Sequence, residues 1–123
     1  MNNKNNISHP DITVRVMSYN IHSGIGMDGR YDADRIADVI RGTGADIVGL
    51  QEADVHWGDR SRYDDTPRRL ADRLGMHLFF APIYTLTPED GKLHERQFGV
   101  ALLSKFPIVR AENRRLTRLS TQD

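Results

Sequence analysis

Two polar side chains close two apolar, β-forming runs in this chain. Asn20 ends the run TVRVMSYN at residues 13–20, and Glu52 follows the run IVGL at residues 47–50. Roughly ten residues of helix-patterned sequence lie between the runs, enough for a crossover that pairs the two strands in parallel. Parallel pairing sets both carboxyl ends side by side, and in open α/β sheets ligands bind at that end. A carboxylate and an amide oxygen converging there are hard donors. They suit Mg²⁺, which keeps several waters and takes only one or two protein carboxylates. Each residue also has a plainer reading. Asn20 is a good turn former at a strand end. Glu52, at the rim of a core strand, needs a partner or a metal if it is buried.

Further candidates follow each strand. His22, just beyond Asn20, is placed either to touch a phosphate or to serve as an ordinary loop histidine. Arg60, Ser61, Arg62 and Asp65 lie in the polar stretch after Glu52 and could face a substrate. Asp65 is equally explained as the cap of a helix opening at Thr66-Pro67. Residues 24–29, GIGMDG, match the dinucleotide-binding spacing G-x-G-x-x-G, with Glu52 where a ribose-binding acid would stand. The match fails in context. Ile21, His22 and Ser23 separate the strand from the first glycine, the helix opens only at Asp32, and Asp28 would face a pyrophosphate with negative charge. The glycines read instead as a loop beside the ligand end of the sheet, and a dinucleotide-binding domain stays a remote alternative.

The elements that must position these groups follow from pattern and punctuation. The first strand, residues 13–20, alternates Val14, Val16 and Ser18 against Arg15, Met17 and Tyr19. Asp32 caps a helix with Ala33, Ile36, Ala37 and Ile40 at helical spacing, ended by Gly42 and Gly44. A second strand covers residues 47–50, ending in Gln51-Glu52, and a polar loop covers 53–65. The next helix buries Leu70, Ala71 and Leu74 and stops at Gly75. Strands are expected at 77–81, closed by Pro82, and at 98–103, with a further one over 108–119. The run at 98–103 is nearly all apolar, which suits a strand covered on both faces.

The composition narrows the class. The chain has 123 residues, 38% hydrophobic and 28% charged, which reads as one soluble globular domain over 13–123 behind a flexible polar segment at 1–12. It has no cysteine, which excludes a disulfide scaffold, a Cys-ligated metal and a Cys nucleophile. No run approaches the roughly 18 apolar residues of a membrane span, and the first residues lack an apolar signal core, so a cytoplasmic location is the expectation. The formal net charge is zero. It is unevenly spread, for 92–123 includes Arg110, Arg114, Arg115 and Arg118. That stretch is either a solvated basic face or a surface that attracts phosphates.

Three segments together carry a family resemblance. Residues 16–22 (VMSYNIH), 46–52 (DIVGLQE) and 98–108 (FGVALLSKFPI) resemble, in order and separation, the first three motifs of the endonuclease/exonuclease/phosphatase superfamily, and of its bacterial metal-dependent hydrolases in particular. The resemblance implies an α/β protein of the DNase I-like kind, a four-layer α/β/β/α sandwich. It implies Mg²⁺ or Mn²⁺ and hydrolysis of a phosphoester. Asn20 and Glu52 match the family's metal-site asparagine and glutamate, and residues 99–104 match the core strand supporting the site. The fold hosts hydrolysis of nucleic acid, sphingolipid, inositol phosphate and protein-linked phosphate, so fold alone does not select a substrate. The family's later motifs, a Thr-His pair, an Asp-x-Asn site and a terminal Asp-His pair with the general base, are not found in this sequence. The expectation is therefore an amino-terminal portion of a phosphoesterase, inactive by itself. A non-catalytic module that binds metal or partners is the alternative. Half of a two-sheet sandwich would also leave one sheet face bare, which predicts self-association.

Overall fold

The computed structural model describes residues 11–114. It contains one four-stranded mixed sheet, ordered β1-β2-β4-β3, with two helices. The strands are β1 (Val16–Asn20), β2 (Ile47–Val55), β3 (His77–Leu86) and β4 (Arg96–Ser104), and the helices are α1 (Ala33–Thr43) and α2 (Thr66–Leu74). Strand β1 pairs with β2 in parallel, while β2–β4 and β3–β4 are antiparallel. None of the helices among the described residues is long and apolar enough to cross a membrane.

Both helices form where their caps dictate. The Asp32 carboxylate accepts the Arg35 N–H and opens α1, and Asp65 does the same for α2 through the Arg68 N–H. Gly44 and Gly75 end them in the left-handed conformation that glycine takes without strain. Ile36, Ala37 and Ile40 of α1 and Leu70 and Ala71 of α2 are buried in one core with Val48 and Leu50 of β2 and Ala101 and Leu103 of β4. The opposite sheet face carries Val16, Ile47, Gly49, Leu102 and Phe79 in cross-strand register, and Val16 is exposed. The described part is thus one helix layer on one sheet, two of the four layers that a DNase I-like sandwich contains.

Several boundaries differ from the pattern reading, each for a physical reason. Strand β1 begins at Val16 rather than residue 13, because its partner β2 begins at Ile47. Strand β2 does not stop at Glu52 but continues to Val55, so the following loop is shorter than expected. Strand β3 runs through Pro82 to Leu86. It lies at the sheet edge, where a residue without an N–H is tolerated. Pro82 pairs with Gly99, where an added Cβ would meet the Ala81 carbonyl oxygen at 2.2 Å. Residues 108–114 form no strand, and the remainder of that expected strand lies outside the described residues, as does most of the segment 1–12. In the basic stretch, Arg110 and Arg114 both approach Glu112, at 3.5 and 3.4 Å. Arg115 and Arg118 lie outside the described residues.

Candidate active site

The parallel pairing aligns Asn20 with Gln51 and so places Glu52 one residue beyond it. A bulge then decides where Glu52 points. Leu50 pairs with Ala101 and Ala53 with Gly99, so Gln51 and Glu52 together face Val100 alone. By simple alternation Glu52 would follow Val48 and Leu50 into the helix-side core, where both are fully buried. The extra residue prevents this, and Glu52 takes a left-handed backbone with φ 55°. Bulges of this kind re-aim side chains beside active sites. Here the Glu52 carboxylate emerges with 41% of its side chain exposed. The carboxylate thus stands half in water at the rim of the core strand.

Around it lies a small polar cluster. Asn20 donates its Nδ2 to Glu52 Oε2 at 2.5 Å, and Asn20 Oδ1 accepts the His22 backbone N–H at 3.0 Å. These two bonds fix the amide's orientation, since only its oxygen can accept the N–H. Asn20 therefore holds the carboxylate in place. His22 Nδ1 stands 3.7 Å from Glu52 Oε1, within ion-pair reach when the imidazole is protonated. Gln51 Nε2 donates to Ser18 Oγ at 3.1 Å beside them. His22 and Ser23, like Glu52, have positive φ, at 47° and 59°. Backbone strain in non-glycine residues persists only where the surroundings enforce it, and it clusters at functional sites.

The glycine-rich loop folds back against this cluster. Gly24 has φ +85°, and a Cβ there would meet the Tyr31 ring at 2.5 Å. A Cβ on Gly26 would meet Arg35 Nη2 at 2.2 Å. Gly24 and Gly26 thus admit two side chains of the chain itself, while Gly29 takes a positive φ of 78° with nothing within 4 Å of its Cβ position. Arg35 binds the Asp28 carboxylate with both Nη atoms, at 2.8 and 3.1 Å. That guanidinium, helped by the Arg30 N–H, holds the Asp28 carboxyl well below the usual carboxylate range. The Tyr31 hydroxyl donates to Asp64 Oδ2 at 2.8 Å and, its single proton spent there, accepts from Thr66 Oγ1 at 2.9 Å. Burial pushes its pKa well above the ordinary tyrosine range. Tyr31 thereby ties the loop after β1 to the start of α2.

The remaining candidates are not gathered at Glu52. Arg60 binds Asp54 with Nε and Nη2, both at 2.9 Å, and Ser61 Oγ donates to the same carboxylate at 2.7 Å. Asp54 is fully buried, and this pairing anchors the short 3-10 turn Asp59–Ser61. The Arg60 guanidinium also lies over the Trp57 and Phe98 rings, at 5.5 and 5.7 Å from their centroids. Arg62 lies over the Tyr31 ring at 5.8 Å, beside a polar hollow shared with Arg30, Asp34 and Arg69. Of the two readings of Asp65, the structure displays the helix cap. Sequence reasoning passed over Asp54 and Tyr31. Neither stands in a motif, and only the buried partners that converge on them mark them out.

Among the described residues, no group of three or more His, Asp or Glu side chains converges as a metal centre. Glu52 alone offers a free carboxylate edge at the cluster, with Asn20 fixed against its other oxygen. One hard carboxylate beside open water fits a divalent ion that retains most of its own hydration shell.

Comparison with known proteins places this cluster in context. Residues 17–123 match the model of the Endonuclease/Exonuclease/phosphatase family. A solved endonuclease/exonuclease/phosphatase from Beutenbergia cavernae DSM 12333 is 32% identical, with TM-score 0.67, over 80% of this chain and 27% of its own. An endonuclease/exonuclease/phosphatase family protein from Leptotrichia buccalis C-1013-b is 16% identical, with TM-score 0.54, over 80% of this chain and 39% of its own. No match was found among functionally curated proteins. The chain thus spans less than two-fifths of the length of either solved structure.

Proposed function

Because the chain belongs to the endonuclease/exonuclease/phosphatase family, we propose that it carries the metal-side half of a Mg²⁺- or Mn²⁺-dependent phosphoesterase site, centred on Glu52. The observation that carries this reading is the bulge at Gln51-Glu52. It lifts one carboxylate out of the core into a left-handed backbone and sets it against Asn20 and His22.

Each side chain then has a role set by its bonds. Glu52 presents Oε1 as the anionic donor for the ion. Asn20 takes up Oε2, so the carboxylate turns one edge outward. His22, exposed and within reach of Glu52, is placed to meet a phosphoryl oxygen. A divalent ion bound there would neutralise charge on the phosphoryl oxygens and on the leaving oxygen. The described residues place no histidine or second carboxylate opposite Glu52 to activate water. Turnover is accordingly assigned to a longer form of the fold rather than to this chain alone. The alternative, a module that binds metal without turnover, describes this chain under the same geometry.

Mn²⁺ titration followed by paramagnetic broadening tests the reading. Broadening is expected to centre on Glu52 and Asn20 and to be lost in Glu52→Gln, which keeps the shape and removes the charge. Equal binding by the variant would remove Glu52 from the site.

A further inference from the structure

A half-open cleft of about 270 Å³ shares Asn20 and His22 with the site and is lined further by Tyr19 of β1 and by Arg35, Ile36 and Val39 of α1. Its walls are apolar, formed by Ile25, Met27, Ile36 and Val39. Of the polar groups at its edge, Arg35 and Asn20 already have partners, while the Tyr19 hydroxyl and the His22 ring have no hydrogen-bond partner among the described residues. The Arg35 guanidinium is engaged by Asp28 and by the Arg30 carbonyl, and Asn20 by Glu52 and the His22 N–H. Met27 is fully exposed and Val39 is nearly half exposed, so the cleft holds apolar surface in water directly beside the carboxylate.

We propose that this cleft receives the apolar ester group of the substrate, an aryl or alkyl group on the phosphoester, in preference to a nucleoside. The proposal rests on the phosphoesterase reading and gives it a substrate class. Size supports it: an apolar cavity of about 150 Å³ is enough for a benzene ring, so this one takes a ring with further carbons attached. Chemistry supports it as well. A nucleobase seated here would exchange water for mostly apolar walls, with only the Tyr19 hydroxyl and the His22 ring to bond its polar edge, and an unmatched polar edge is costly to bury. An aryl or alkyl group gives up no hydrogen bond. Methionine at the rim suits such a role, since its unbranched thioether adapts to ligands of varied shape. Gly26 is part of the construction, because only its missing Cβ lets Arg35 lie across the loop and close one end of the cleft.

The test uses the ¹⁵N-labelled chain with Mg²⁺, titrated separately with inorganic phosphate, phenyl phosphate and uridine 5′-monophosphate. Inorganic phosphate is expected to move the amides of Asn20, His22 and Glu52. Phenyl phosphate should move these and also Ile25, Met27 and Val39, and bind about tenfold or more tightly than phosphate, with the nucleotide no tighter than phosphate. Val39→Gln, polar but uncharged, should abolish the phenyl advantage, while phosphate still moves the Asn20, His22 and Glu52 amides. Cleft amides that stay still under phenyl phosphate, or a nucleotide that binds more tightly than phenyl phosphate, would overturn this proposal alone. Unmoved Asn20, His22 and Glu52 amides in all three titrations would overturn the phosphoesterase reading and this proposal together.

Discussion

Replacing Glu52 by glycine and, separately, by alanine isolates the strain at the bulge. Both changes delete the carboxylate and its contacts with Asn20 and His22, so those losses cancel between the variants. What remains is the backbone at φ 55°. A left-handed conformation costs an L-residue about 1–2 kcal/mol. Against that, glycine gives up about 0.5–1 kcal/mol more than alanine in chain entropy when it orders in a strand. The balance favours Glu52→Gly over Glu52→Ala by about 1 kcal/mol, the sign expected wherever φ is positive. At an ordinary strand position the order would invert. Urea unfolding followed by fluorescence of Trp57, the single tryptophan, reads the difference. With a slope of about 1–2 kcal/mol per molar for a chain of this size, the midpoints should separate by about 0.5–1 M. Both variants should lose Mn²⁺ binding, so the glycine form would be the sturdier of two inert proteins. Equal midpoints, or alanine the more stable, would refute the bulge geometry and the argument that the chain spends stability to present Glu52.

Three further outcomes are expected. The isolated chain should hydrolyse an activated phosphodiester no faster than Glu52→Ala, since the described residues supply no positioned base and such a base contributes about 10²–10⁴ in rate; metal-dependent turnover that vanishes with Glu52 would contradict this. Stability should fall as pH rises beyond about 10, the unfolded tyrosine value. Burial raises the Tyr31 pKa in the fold, so the folded chain holds its proton while the unfolded chain releases it; a Tyr31→Phe variant that keeps the same alkaline decline would show another group responsible. The chain should self-associate through a second copy laid on the sheet face around Val16, Leu102 and Phe79, which the helix layer leaves uncovered, next to the β1 edge that pairs with nothing among the described residues. Sedimentation at micromolar concentration tests this, and a clean monomer with dispersed amide signals would refute it.

The helices were legible because their signals are local. Asp32 and Asp65 as caps, Pro67 in the first turn, and Gly44 and Gly75 as stops all act within a few residues, and the buried positions repeat at helical spacing. The neighbouring placement of Asn20 and Glu52 was equally readable, since a helical crossover leaves parallel pairing as the natural outcome. Strand ends were less so. Pro82 reads as a stop until β3 is known to be an edge strand, and Asp54 reads as loop until it is seen buried under Arg60 and Ser61. The bulge has no local mark at all. It arises from the register between β2 and β4, a relation between residues about fifty positions apart.

Tyr31 carries a consequence for how this scaffold can be altered. Its ring needs the bare Cα of Gly24, and its hydroxyl needs Asp64 and Thr66, so four positions in two segments form one interlocked unit. Grafting the loop after β1 from a relative, without the matching Asp64 and Thr66, would strand a phenol oxygen inside the protein. Grafting the α2 entry alone would leave Asp64 and Thr66 facing a misfit ring. Loop exchange at this site should therefore succeed only when Gly24, Tyr31, Asp64 and Thr66 travel together, and a recombination library that shuffles the two loops independently should return survivors enriched in the parental pairings.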